Sequence, residues 1–153
     1  MVLLQDVVDG GASVGFLPPL SAEEARAYWD SVAAALENGG RRLWVARATD
    51  GRILGTVQLD LASQANGRHR AEASKLMVVS SARRQGIGSL LMEAAEAEAR
   101  GLGRTTLVLD TRQADPSEAL YRAMGWQAAG TIPRYARSAD GTLHTTAFYY
   151  KLL

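Results

Sequence analysis

Two arginines and two glycines, Arg83, Arg84, Gly86 and Gly88, stand between an apolar, β-branched run and the start of a helical pattern. The run is Leu76-Met77-Val78-Val79, and Ile87, Leu90 and Leu91 open the helix. A strand, a glycine loop and a helix N-terminus in that order aim unpaired backbone N–H groups at one spot. The positive end of the helix dipole points there too, and such a spot suits a phosphate. Gly86 and Gly88 allow φ > 0 and a close main-chain approach to a ligand. The two guanidinium groups add charge that can reach phosphate oxygens. The spacing does not fit a P-loop, because no Lys-Ser/Thr follows the second glycine. Nor does it fit the dinucleotide fingerprint, which needs a third glycine and an acidic strand end for a ribose.

Composition narrows the function classes. A chain of 153 residues, 47% hydrophobic and 22% charged, reads as one globular domain over 1–153 with a sizeable core. A net charge of +1 argues against a dedicated nucleic-acid binder. Zero cysteines exclude disulfides, thiolate metal sites and a cysteine nucleophile, and His69 and His144 alone are too few for a histidine zinc site. No metal is expected. No apolar stretch approaches the ~20 residues of a membrane span, and Met1 to Val8 is too short for a signal peptide and lacks a basic start. The expected location is cytoplasmic, away from membranes.

The elements that must position the loop follow from periodicity. Ser21 and Glu24 form a capping box ahead of a helix in which Ala25, Tyr28, Trp29, Val32, Ala33 and Leu36 repeat on one face, stopped by Asn38-Gly39-Gly40. Leu43 to Ala46 and Ile53 to Leu61 read as an antiparallel hairpin about Thr49-Asp50-Gly51. Within the second strand Val57, Leu59 and Leu61 alternate with Gln58 and Asp60, which predicts one wet face. A polar loop over residues 63 to 70 leads to a central strand, about Glu72 to Val79.

A helix follows from Ile87 to Arg100, with Ile87, Leu90, Leu91, Ala94 and Ala95 inward and Glu93, Glu96 and Glu98 on a solvated face. Thr105 to Leu109 is a buried strand, and Pro116 starts a short helix that Gly125 ends. Trp126 begins another strand, and Thr145 to Leu152 is the last. Strand, helix and strand from Glu72 to Leu109 make a parallel pair within a mixed sheet flanked by helices.

Arg83-x-x-Gly86-x-Gly88 resembles the pyrophosphate loop of the GNAT superfamily of N-acetyltransferases, Gln/Arg-x-x-Gly-x-Gly/Ala. A second stretch, Asp115-Pro116-Ser117-Glu118-Ala119-Leu120-Tyr121-Arg122-Ala123-Met124-Gly125-Trp126, resembles the superfamily's later signature, a short helix with Leu-Tyr ending in Gly-Phe. Here Trp126 stands for the Phe, and the asparagine frequent early in that motif is absent, with Ala114 or Asp115 near its place.

Gly10 to Phe16, Asn66-Gly67, Arg70-Ala71-Glu72, Lys75 to Val78, Leu109-Asp110-Thr111, Asp140-Gly141-x-Leu143-His144 and Thr146-Ala147-x-Tyr149 further resemble the tabtoxin resistance acetyltransferases. Family members begin with a strand and a longer first helix, whereas this chain starts near the end of that helix. The first family strand is therefore expected to be absent or the start misplaced. The next strand would then expose an edge for a partner subunit, such as a second copy, to cover.

The resemblance implies an α/β (α+β) fold, a mixed, mostly antiparallel sheet with a splayed parallel strand pair, and acetyl-CoA as co-substrate. It implies that Arg83, Arg84, Gln85, Gly86, Ile87, Gly88 and Ser89 carry the pyrophosphate. Main-chain groups of Leu76, Met77 and Val78 line the pantetheine arm, with Asp115 and Ser117 beside it. By the same resemblance Glu72 and Asp110 are the candidate bases and Tyr121 the acid that protonates the coenzyme A thiolate. A carboxylate walled by protein has a raised pKa, which suits taking an ammonium proton. Arg134, Tyr135 and His144 fall in the segment joining the last two strands, which overhangs the acceptor pocket; Tyr135 and His144 are the expected substrate contacts. The expected reaction is N-acetylation of a small-molecule amine, such as an amino-acid-like antimicrobial. Acetylation of a protein or peptide amine, and a non-catalytic acyl-CoA-binding module, are the competing readings.

Overall fold

Ser21 and Glu24 close the capping box that starts the second helix: Glu24 N–H donates to Ser21 Oγ at 3.1 Å, and Ser21 N–H donates to Glu24 Oε2 at 3.1 Å. The computed structural model describes residues 2–153. Helix α1 (Val2–Asp9) precedes this capped helix α2 (Ala22–Glu37). Strands β1 (Arg41–Arg47), β2 (Ile53–Leu61) and β3 (Arg70–Val78) follow, then a single 3-10 turn (Ser80–Ala82) and α3 (Ile87–Gly101). Next come β4 (Thr106–Arg112), α4 (Ser117–Ala123), β5 (Gln127–Arg137) and β6 (Leu143–Leu152).

The six strands form one sheet in the order β1-β2-β3-β4-β6-β5. Only β3 and β4 run parallel, and every other neighbouring pair is antiparallel. This is the α/β fold expected, with β1 and β5 as the open edges. The main core includes Val57, Leu59, Ala71, Ala73, Leu107 and Leu109 from the sheet, against Leu91, Met92, Ala95 and Ala99 of α3. A second cluster includes Leu3, Leu4, Val7 and Val8 of α1, Ala25 of α2 and Met77 of β3. Amphipathic helices thus cover both faces.

Three expectations are corrected. The polar side of β2 is dry at Thr56, 2% exposed, and Gln58, 1% exposed, because α1 and α2 cover it and Gln58 Nε2 donates to Tyr28 Oη at 2.7 Å, whereas the Asp60 side chain stays 33% exposed. The buried stripe of α3 is turned from the expected one, taking in Met92, Glu96 and Ala99 and leaving Leu90 66% exposed. Glu96 leaves the solvated face because it has two donors inside, Trp126 Nε1 at 2.9 Å and Lys151 Nζ at 2.7 Å. Trp126 accordingly sits in the core, with β5 starting one residue later.

Candidate functional site

The parallel pair opens almost as soon as it forms. β3 and β4 pair only at Arg70↔Thr106, Ala71↔Leu107 and Glu72↔Val108. Beyond these positions β3 continues to Val78 and β4 to Arg112 without pairing to each other. The cause lies in β3, whose register against β2 shifts by one residue between Thr56↔Met77 and Gln58↔Ser74. Lys75 and Leu76 together oppose Val57, and Lys75 takes φ +53. Such a bulge bends the strand and reverses which residues face which side. Ala71 and Ala73 join the α3-side core, and after the bulge Leu76 does so too, whereas Met77 faces α1. Gly55 lets β2 lie close here: a Cβ on it would come within 2.7 Å of Met77 O.

The splay holds a cleft of about 330 Å³ lined by Glu72, Leu76, Asp110, Asp115, Ser117, Tyr121 and Tyr135, together with the loop at Ser13, Val14 and Gly15. Glu72 and Asp110 open into the same space. Burial among the cleft walls pushes the Glu72 carboxyl above its ordinary range, and the carboxylates of Asp110 and Asp60 push the same way. Asp60 is the cross-strand partner of Glu72, held by Arg41 Nε at 2.5 Å and by Ser74 Oγ at 2.8 Å.

Tyr121 is 6% exposed, ringed by Trp126 and Tyr149 at centroid distances of 6.1 and 6.0 Å. Burial raises its phenol well above the usual tyrosine value, and the Asp115 charge adds to this. Its helix is fixed by the buried Glu118, which accepts from Ala114 N–H at 2.6 Å and from Tyr149 Oη at 2.5 Å. Asp115 Oδ2 accepts from Ser117 N–H at 2.8 Å, and Ser117 Oγ lies 2.9 Å from Thr111 Oγ1.

The Arg83–Ser89 loop lies outside this cleft but adjoins it. Gly86 caps α3 in the left-handed region at φ +80, and Arg84 precedes it at φ +60. Gly88 makes no use of the positive φ its type allows and lies inside the helix. What its missing Cβ allows is contact: a Cβ would stand 3.3 Å from Leu120 Cδ2 and 3.9 Å from Leu76 Cδ2. The loop therefore meets α4 and the bulge where the cleft ends. Among the described residues the N–H groups of Gln85 to Ser89 have no backbone acceptor, and the first bond back is from Leu90 N–H to Gly86 O at 3.1 Å. These orphan donors, with the exposed Arg83 and Arg84 beside them, fit a pyrophosphate. Asp6 of α1 anchors the preceding turn, accepting from Ser80 N–H and Ser80 Oγ, each at 2.8 Å.

Not every sequence candidate gathers at the cleft. Met77 is buried against α1, and Val78 is paired with Gly55. Arg134 and Tyr135 belong to β5 and His144 to β6, not to the connection between them, which is the tight turn about Ser138 to Thr142. The hairpin is longer than its proline and glycines suggest. Its register slips between Ile132 and Ala136, where Arg134 takes φ +54. Tyr135 reaches the cleft, and its ring stands edge-on to Phe148 at 5.5 Å. His144 lines a second, adjoining cavity of about 640 Å³ with Phe16, Arg137 and Asp140.

Lys75 is a site residue that sequence pattern alone does not single out. Its Nζ donates to Val14 O at 2.5 Å, tying the 13–15 loop to the bulge. Burial lowers its pKa, against the pull of Asp110. Among the described residues no cluster of metal-ligating side chains is formed, and no helix is long and apolar enough to cross a membrane.

A parallel pair splayed by a bulge, with a glycine-capped helix at its mouth, is the architecture of an acyl-coenzyme A-dependent transferase. The chain belongs to the acetyltransferase (GNAT) family, whose model matches residues 13–126. A relative from Azospirillum brasilense, described as an uncharacterized N-acetyltransferase in the hisH-hisA intergenic region, is 34% identical over 110 residues. That match spans 71% of this chain and 63% of the relative. The structure is similar to a ribosomal-protein-alanine N-acetyltransferase from Brucella melitensis, with a TM-score of 0.83 and 25% identity over 99% of this chain and 91% of that one. It is also similar to a phosphinothricin acetyltransferase from Sinorhizobium meliloti in complex with acetyl-CoA, with a TM-score of 0.80 and 25% identity over 99% and 80% of the two chains.

Proposed function

We propose that this protein transfers the acetyl group of acetyl-CoA to the amine of a small molecule, an amino-acid-like antimicrobial or toxin. The observation that carries the reading is the opening of β3 from β4 directly after Glu72↔Val108, which leaves a cleft running to the unbonded amides of α3. Family membership supports the acetyl-CoA part. The acceptor part rests on the tabtoxin-resistance resemblance of the sequence and on the phosphinothricin acetyltransferase likeness.

Acetyl-CoA supplies an activated thioester. The residues to hold it are the amides and arginines of 83–89, the free edge of β3 at Leu76, Met77 and Val78, and Asp115 and Ser117 at the start of α4. Glu72 is the base, with Asp110 beside it. Its raised pKa lets it accept the ammonium proton of the acceptor, directly or through water. An unpaired β3 amide steadies the charge that develops on the acyl oxygen. Tyr121, whose phenol stays protonated, gives its proton to the departing thiolate. Tyr135 and His144 contact the acceptor from the β5–β6 hairpin.

The test is thiol release with a panel of amines, including amino-acid toxins, read with mass detection of the acetylated product. Acetylated small amines support the proposal. Binding of acetyl-CoA with no acetylated product from any amine or peptide contradicts it, and leaves an acyl-CoA-binding module. A second reading, acetylation of a protein N-terminus, is favoured by the Brucella melitensis likeness, and turnover of peptides alone would select it. A second copy of the chain is part of the proposal, supported by the open edges β1 and β5 and by Ile132 and Tyr135 exposed on the latter. Sedimentation at assay concentration decides it, and a monomer at all concentrations removes it.

A further inference from the structure

Arg112 is a half-buried guanidinium that lines both cavities. Arg41 and Lys151 are ion-paired to Asp60 and Glu96, but among the described residues no carboxylate oxygen lies within 4.0 Å of Arg112. Its one side-chain hydrogen bond runs from Nη2 to Ser138 Oγ at 2.7 Å, while its Nε is buried without a partner. A guanidinium partly removed from water and left without an anion is costly. An anion delivered by a ligand recovers that cost through charge-assisted hydrogen bonds.

Its position defines what that ligand is. Arg112 stands two residues after Asp110 on β4, and alternate residues of a strand share one face. The two backbone positions are therefore about 7 Å apart along the strand. Arg112, Glu72 and Asp110 line one cavity, so an acceptor whose ammonium lies at the carboxylates can turn an anionic group on a neighbouring carbon toward the guanidinium.

We infer that Arg112 binds the anionic group of the acceptor, so that the protein selects amines bearing a carboxylate or phosphonate close to the nitrogen. The ammonium lies by Glu72 and Asp110 in the smaller cavity. The anion lies at Arg112 on the shared wall, and the rest of the acceptor extends toward Phe16 and His144. The inference rests on the acetyl-transfer reading and deepens it.

The experiment uses matched acceptors on the full-length protein: L-phenylalanine against 2-phenylethylamine, L-norleucine against pentylamine, and the corresponding α-aminophosphonates. The wild type is expected to favour the anionic member of each pair. In Arg112→Gln the kcat/KM preference falls by roughly ten- to a hundredfold, chiefly through KM, and Arg112→Lys restores part of it. Acetyl-CoA affinity measured by calorimetry stays at the wild-type value in both variants, which shows that the fold persists. A wild type without preference, or an Arg112→Gln variant that keeps the wild-type ratio, overturns the inference while leaving acetyl transfer standing. Acetyl-CoA binding with no amine acetylated overturns the parent reading, and this one with it.

Discussion

Replacing Lys151 by Met should cost about 3–5 kcal/mol, far more than loss of a surface ion pair, because it strands a charge inside. The Glu96 and Lys151 side chains are 6% and 18% exposed and meet at 2.7 Å. Lys151 also donates to Met124 O at 2.6 Å, and Trp126 Nε1 donates to Glu96, so the pair ties α3, the α4–β5 corner and β6 together. In Lys151→Met the carboxylate keeps one donor of two and Met124 O loses its side-chain partner. For a domain of this size each kcal/mol lowers the melting temperature by about 2–4 °C, so the expected drop is roughly 6–20 °C. Urea unfolding at neutral pH reads the same loss as an earlier midpoint with an unchanged slope. The double variant Lys151→Met with Glu96→Leu should recover most of it, since removing both charges removes the desolvation cost. A loss below about 1 kcal/mol in the single variant would mean that water screens the pair, and that α3 is not held as described.

Four further outcomes concern the site. Tyr121→Phe should lower kcat by roughly ten- to a thousandfold while sparing acetyl-CoA affinity, checked by steady-state kinetics and calorimetry; an unchanged rate removes the acid role. With Glu72 as the proposed base, the acidic limb of kcat/KM should lie above the ordinary carboxyl range, because a base with a raised pKa loses its proton only at higher pH, and Glu72→Gln should abolish that limb with most of the rate. The same shift has a stability sign. The native state binds more protons between the unfolded and folded pKa values, so stability falls as pH rises through that window, and Glu72→Gln should melt higher at neutral pH with no difference in acid. Gly86→Val should keep the fold but weaken acetyl-CoA binding, since the left-handed φ of +80 costs an L-residue about 1–2 kcal/mol and distorts the amide cradle; equal affinity would count against the loop.

Much of this was legible from local pattern. The Ser21/Glu24 box, the Asp50-Gly51 hairpin and the Gly86 cap are each encoded within a few residues, and each forms. Glu72 and Asp110 share a cleft because strand, helix and strand dictate parallel neighbours. What stayed hidden depends on contacts distant in sequence. Glu96 is buried by partners thirty and fifty-five residues away, and Gln58 by a tyrosine thirty residues away. The Lys75 bulge has no glycine to announce it, since a lysine holds the positive φ with its ammonium bonded to Val14 O. Arg112 reads as one more strand-end arginine until the two cavities on either side of it are seen.

Acetyl transfer as proposed depends on backbone amides at the head of α3 gripping a diphosphate. Amide resonances recorded during titration with acetyl-CoA report on that grip residue by residue. The N–H signals of Gln85 to Ser89 should move together and saturate with a single affinity, while those of the β1 edge stay fixed. Binding that leaves these five signals in place would contradict it.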